Sequence, residues 1–114
     1  MQEGDLDGVV AVAAAAFPDH FEDRACFAER LALFAQGCFV LTADAQVQGY
    51  LIAYPWPLGS IPPLNGLLHQ LPDARDALYL HDLALLPAVC GKGHTRPIVE
   101  RLVDEARQHG LRTI

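Results

Sequence analysis

Apolar positions along this chain repeat first with a helical period and then with a strand period, and the changeover marks its elements. From Leu6 to Ala16 alanine and valine dominate, which predicts a first helix with Asp5 as its N-cap and Pro18 as its stop. From Asp23 to Gln36 the residues Phe27, Leu31 and Phe34 form one apolar helical face, with Gly37 placed for the C-terminal cap. Cys38–Thr42 and Val47–Tyr54 are rich in β-branched and aromatic residues and read as strands, joined by a hairpin turn at Ala43–Gln46. The stretch Pro55–Ala77 is punctuated by Pro55, Pro57, Pro62, Pro63, Pro72, Gly59 and Gly66. It predicts a long irregular loop, with one short helical turn at Leu64–Gln70. Leu78–Leu86 is an almost unbroken apolar run that suits a central strand covered on both faces; His81 and Asp82 interrupt it. The final helix is expected over Thr95–His109. Ile98, Leu102 and Ala106 share a face, Val99 and Val103 lie beside them, and Gly110 stands at C′. Leu111–Ile114 then starts what reads as another strand.

At 114 residues and 52% apolar content, the chain is one domain with enough apolar side chains for a core. Charged residues make up 19% and the net charge is −6. That balance excludes a basic nucleic-acid footprint and speaks mainly to solubility. Cys26, Cys38 and Cys90 are widely spaced and form no zinc or disulfide framework, so a cytoplasmic setting is expected. The apolar run Val9–Phe17 is too short to span a bilayer and follows acidic residues, so neither a membrane segment nor a signal peptide is expected.

The most informative segment is Tyr79–Arg107, where an apolar run leads through a glycine-rich turn into an amphipathic helix. That order points backbone N–H groups and the positive end of a helix dipole at a phosphate-bearing ligand. A P-loop is excluded, because Leu86 and Gly93 stand where its first glycine and its Ser/Thr belong. A dinucleotide fingerprint is excluded because Arg96 stands where its third small residue belongs.

The segment resembles the acyl-CoA-binding motif of the Gcn5-related N-acetyltransferases, the GNAT superfamily. That signature is Arg/Gln-x-x-Gly-x-Gly/Ala after a strand ending in an aliphatic residue and proline. Leu83-Ala84-Leu85-Leu86-Pro87 matches the strand ending and Gly93 matches the motif. Cys90 stands in place of Arg or Gln, and Thr95 in place of Gly or Ala; Lys92 and Arg96 supply positive charge. The resemblance implies an α/β (α+β) fold with a mixed, mostly antiparallel central sheet flanked by helices. Residues 1–114 would form a single partial domain, without the family's first strand and with its last strands and helix missing.

The activity implied is transfer of an acetyl group from acetyl-CoA, as co-substrate, to a primary amine of a small molecule or a protein. The backbones of Leu83, Ala84 and Leu85 would line the pantetheine arm, with the Leu85 N–H polarising the thioester carbonyl. The turn from Cys90 through Gly91, Lys92, Gly93, His94, Thr95 and Arg96 would hold the pyrophosphate. Strict alternation places Tyr79, His81, Leu83 and Leu85 on one face of the strand and Leu80, Asp82 and Ala84 on the other. His81 is the candidate general base, since imidazole titrates near neutrality; the competing reading is a hydrogen-bonded structural histidine. Asp82, flanked by apolar residues, needs a partner such as a helix N-terminus or a basic side chain. Tyr54 and Trp56 fall near the expected acceptor groove in a shielding or core role. Cys90 reads as a substitution rather than a nucleophile. His20, His69, His94 and His109 lack metal-ligand spacing, so no metal is expected. Neither nucleic acid nor membrane is an expected partner, whereas an exposed sheet edge would admit a homodimer. The alternative is a non-catalytic remnant or a CoA-binding module.

Overall fold

The computed structural model describes residues 1–18, 22–57, 67–72, 75–87, 89, 91, 93 and 95–111. Its elements are helices α1 (Leu6–Ala16) and α2 (Arg24–Leu33), strands β1 (Cys38–Ala43), β2 (Gln46–Trp56) and β3 (Ala77–Leu85), and helix α3 (Thr95–Gln108). The strands form one antiparallel sheet in the order β1-β2-β3. This is the mixed α+β architecture expected from the sequence.

Most boundaries fall within a few residues of the pattern. Asp5 does stand at the N-cap of α1, but its carboxylate accepts the backbone N–H of Gln2 at 2.8 Å rather than capping the helix. Helix α2 is shorter than expected and ends at Leu33; Ala35–Gly37 form a separate 3-10 turn. Gly37 is therefore not a left-handed cap. It is small because the Ala53 carbonyl lies where its Cβ would be. The hairpin turn is tighter than expected, with Asp44 and Ala45 both at positive φ, 54° and 63°. Gly110 does close α3: at φ 69°, it lets its own N–H reach the Arg107 carbonyl and the Leu111 N–H reach that of Ala106.

Among the described residues the strand between two others is β2, and the Leu78–Leu86 run forms an outer strand. β2 is buried from Gly49 to Pro55, while β3 forms one edge among the described residues. Pro55 is tolerated there because β1 pairing stops at Ile52, leaving no ladder on that side for a missing N–H to break. Leu68–Gln70 form no helix, and the rest of the expected turn at Leu64–Gln70 lies mostly outside the described residues, as does most of the strand expected at Leu111–Ile114.

Helices α1 and α2 cover one face of the sheet and α3 the other. Phe27 of α2 packs edge-to-face on Tyr50, with ring centroids 5.5 Å apart, and Arg101 of α3 lies over Phe39 on the opposite face. Leu6, Val9, Val12, Phe27, Leu51, Ile52, Leu78 and Leu102 are fully or almost fully buried between the layers. Cys26 and Cys38 are buried free thiols, and burial pushes Cys38 up to about 12.

Candidate active site

The site begins with a break in the β2–β3 ladder. Ile52 pairs with Asp82, but Ala53 pairs with Leu80, so His81 is an extra residue in β3. Strict alternation predicted that His81 and Asp82 would face opposite ways. The bulge overturns that: the Tyr54 hydroxyl meets His81, and the Tyr50 hydroxyl donates to Asp82 at 2.6 Å. Tyr50 and Tyr54 lie four apart on β2 and so share a face. Both polar residues of β3 therefore point toward the α1–α2 layer, and the Leu83 and Leu85 side chains toward α3.

His81 is held at both ring nitrogens. Nε2 lies 2.5 Å from Glu22 Oε1, and Nδ1 lies 3.0 Å from the Tyr54 hydroxyl. Glu22, in the connection between α1 and α2, has its other oxygen 3.8 Å from Arg30 Nη2. Arg30 lies against the face of the Tyr54 ring, 5.8 Å from its centroid, and its Nη1 reaches Glu29 Oε1 at 3.2 Å. Glu29 in turn accepts the backbone N–H groups of Leu68 and His69, at 2.5 and 2.9 Å. One polar chain thus runs from the 67–72 segment through Glu29, Arg30 and Glu22 to His81 and Tyr54.

The chain is buried. Side-chain exposure is 2% for Arg30, 4% for Glu22 and 7% for His81, and Tyr54 is 0% exposed. Burying charges at this depth is costly unless each meets an opposite charge, which Arg30 and Glu22 supply for one another. Burial also pushes the Tyr54 hydroxyl up, against the opposing pull of Arg30. Tyr79 stacks obliquely beside both rings, 6.0 Å from Tyr54 and from His81. Trp56 packs edge-on against Tyr54 and is part of this aromatic wall.

Asp82 has neither a helix N-terminus nor a basic side chain for its hydrogen-bonding partner; it has the Tyr50 phenol. Burial raises its carboxyl, and the bond from Tyr50 only partly offsets this.

The outer edge of β3 adjoins this cluster. Leu86 N–H donates to the Gln48 carbonyl at 2.8 Å, so even-numbered residues of the C-terminal half of β3 bond to β2. Leu83 and Leu85 then direct their N–H and C=O groups outward. Among the described residues no strand pairs with that edge.

Beyond it, Gly91 and Gly93 both take positive φ, 77° and 79°, and Thr95 opens α3. Both glycines, on either side of position 92, are thus left-handed just ahead of the N-terminus of α3, and helix N-termini in general favour anions. Arg96 pairs with Glu100 at 3.3 Å on the exposed surface. Cys90, Lys92 and His94 lie outside the described residues. Among the described residues no cluster of His, Cys, Asp or Glu could hold a metal ion, and no helix is long and apolar enough to cross a membrane.

Of this polar chain the sequence singled out His81 and not Glu22 or Arg30. Arg30 did leave a signal: it follows Phe27 by three and precedes Phe34 by four, so a cation sits on the apolar face of α2. Glu22 left none.

Comparison with known proteins gives a consistent picture. The Acetyltransferase (GNAT) family matches residues 7–114. No curated protein matches the chain. Among solved structures it is similar to the GNAT-like decarboxylase GphF in complex with isobutyryl-CoA, at 24% identity and TM-score 0.77, over 94% of this chain and 57% of that one. It is similar to the ribosomal-protein-S18-alanine N-acetyltransferase of Escherichia coli, at 17% identity and TM-score 0.59, over 97% and 59%. It is also similar to a GNAT family acetyltransferase of Brucella melitensis in complex with acetyl-CoA, at 21% identity and TM-score 0.60, over 98% and 68%. The chain thus spans between half and two thirds of the first two structures it matches.

Proposed function

The chain belongs to the GNAT acetyltransferase family, and from that premise we propose that it moves an acetyl group from acetyl-CoA to a primary amine, with His81 as the base. The observation that carries this is one of placement. A hydrogen-bonded imidazole sits two residues before Leu83 on β3, about 7 Å along the strand, beside backbone donors that face outward.

In this reading the pantetheine arm pairs with the outer edge of β3 as an added strand would. The Leu85 N–H polarises the thioester carbonyl. The turn holding Gly91 and Gly93, with the start of α3 and Arg96, receives the pyrophosphate. Lys92 and His94 belong to that turn by sequence. The acceptor arrives as an ammonium and gives one proton to His81, and the nitrogen lone pair so freed attacks the thioester carbon. The C–S bond breaks, the second amine proton leaves to solvent, and the proton on His81 passes to the CoA thiolate. Isobutyryl-CoA and acetyl-CoA are the molecules present in two of the similar structures. They support an acyl-CoA as the donor.

A second reading, CoA binding without transfer, has one observation in its favour. Both His81 nitrogens are already hydrogen-bonded and the side chain is almost fully buried. Calorimetric titration with acetyl-CoA, then a thiol-release assay against a panel of amines, separates the two. Acetyl transfer requires binding, amine-dependent thiol release and its loss in His81→Ala. Binding with no thiol release from any amine supports the second reading, and absence of binding rejects both.

A further inference from the structure

We propose that Glu22 is the positioning residue for His81 and that the Tyr54 hydroxyl is the group through which His81 exchanges its proton. This rests on the assignment of His81 as the base. The direction of the hydrogen bonds follows from what each atom can do. A carboxylate only accepts, so the 2.5 Å contact with Glu22 Oε1 requires the proton to sit on His81 Nε2. In the neutral ring Nδ1 then holds the lone pair, and the Tyr54 hydroxyl, 3.0 Å away, donates to it.

The order of donors is thus Tyr54 O–H to Nδ1, and Nε2–H to Glu22. When the Tyr54 proton moves to Nδ1, the phenolic oxygen, itself buried, regains a proton from the incoming ammonium through a water relay. The ring becomes an imidazolium with Glu22 as its counter-charge, and no net charge is created on Tyr54. Reversal of the same transfer supplies the proton that the CoA thiolate requires.

Arg30 sets the orientation of Glu22. A guanidinium only donates, and Arg30 Nη2 faces Glu22 Oε2. In a Glu22→Gln variant the amide oxygen turns toward Arg30 and the amide NH2 toward His81. Nε2 must then accept, the proton moves to Nδ1, and Nδ1 can no longer take a proton from Tyr54.

The test uses the full chain with 15N-labelled histidine and reads the ring nitrogens by NMR without substrate. The wild type is expected as the Nε2–H tautomer, and Glu22→Gln as the Nδ1–H tautomer. Tyr54→Phe is expected to keep the wild-type tautomer. In thiol release both variants should lose kcat on the order of 10²-fold or more, with acetyl-CoA affinity and amine KM little changed. An Nδ1–H tautomer in the wild type overturns the placement of Glu22. So does a Glu22→Gln variant that keeps both the wild-type tautomer and the wild-type kcat. A Tyr54→Phe variant with full kcat overturns the proton route, and it remains informative even if Glu22→Gln does not fold. The tautomer is read without turnover, so a chain that acetylates no amine removes the base assignment while the NMR result still decides the role of Glu22.

Discussion

The two ends of β3 hold opposite kinds of site. At its bulge, His81 is locked in a buried polar chain whose members come from far apart in sequence: Glu22 lies 59 residues away and Tyr54 lies 27. At its C-terminal end, Leu83, Leu85, Gly91 and Gly93 form an open edge and turn built from neighbouring residues and offering mainly backbone groups. The first is bound up with the core; the second is a local conformation at the surface. Damage to the first should therefore appear as lost stability, and damage to the second as lost cofactor affinity with the fold intact.

The largest expected effect tests the buried end. Arg30→Ala leaves Glu22 and Glu29 without their shared cation and should cost about 3–5 kcal/mol, the usual penalty for breaking a buried ion pair. Urea unfolding followed by circular dichroism checks it; a loss under about 1 kcal/mol would place the pair in the surface class and erase the contrast. At the open end, the double variant Gly91→Ala/Gly93→Ala forces two side chains into left-handed backbone. It should weaken acetyl-CoA roughly tenfold or more by calorimetry, the equivalent of at least about 1.4 kcal/mol, and lower stability by about 1 kcal/mol per site, as left-handed alanine does anywhere. Gly110→Ala serves as the control, since Gly110 is also left-handed but closes α3 away from the turn. It should lower stability by about 1 kcal/mol and leave affinity unchanged.

The smallest effect concerns Asp82. Its carboxyl is raised in the folded state, chiefly by burial, so the native protein holds this proton to higher pH than the unfolded chain. Stability contributed at this position therefore falls as pH rises from the ordinary carboxylate range through the raised folded value. Asp82→Asn removes that loss while keeping an acceptor for Tyr50. Its melting temperature should equal the wild type's at about pH 3 and slightly exceed it at about pH 8. A lower melting temperature at the higher pH would mean that the ionised carboxylate stabilises the fold.

The same contrast explains what the sequence revealed. The helices, the hairpin and the glycine turn were legible because each depends on residues close together: the Phe27–Leu31–Phe34 face, the polar break after Thr42, the paired glycines before Thr95. The face assignment of β3 failed because one bulge cannot be read from an apolar run, and it reverses alternation for every residue beyond it. Gly37 was misread because helix caps and close-packed backbones both select glycine. His81 was legible as a polar interruption. Its partner Glu22 was not, since only the packing of the α1–α2 connection over the sheet brings the two together.

Amide hydrogen exchange at Leu85 reads directly whether acetyl-CoA docks along the outer edge of β3. Saturating acetyl-CoA should slow exchange at Leu85 and leave Leu86 unchanged, because Leu86 is already bonded to Gln48. Unaltered exchange at Leu85 in the presence of saturating acetyl-CoA would contradict that docking.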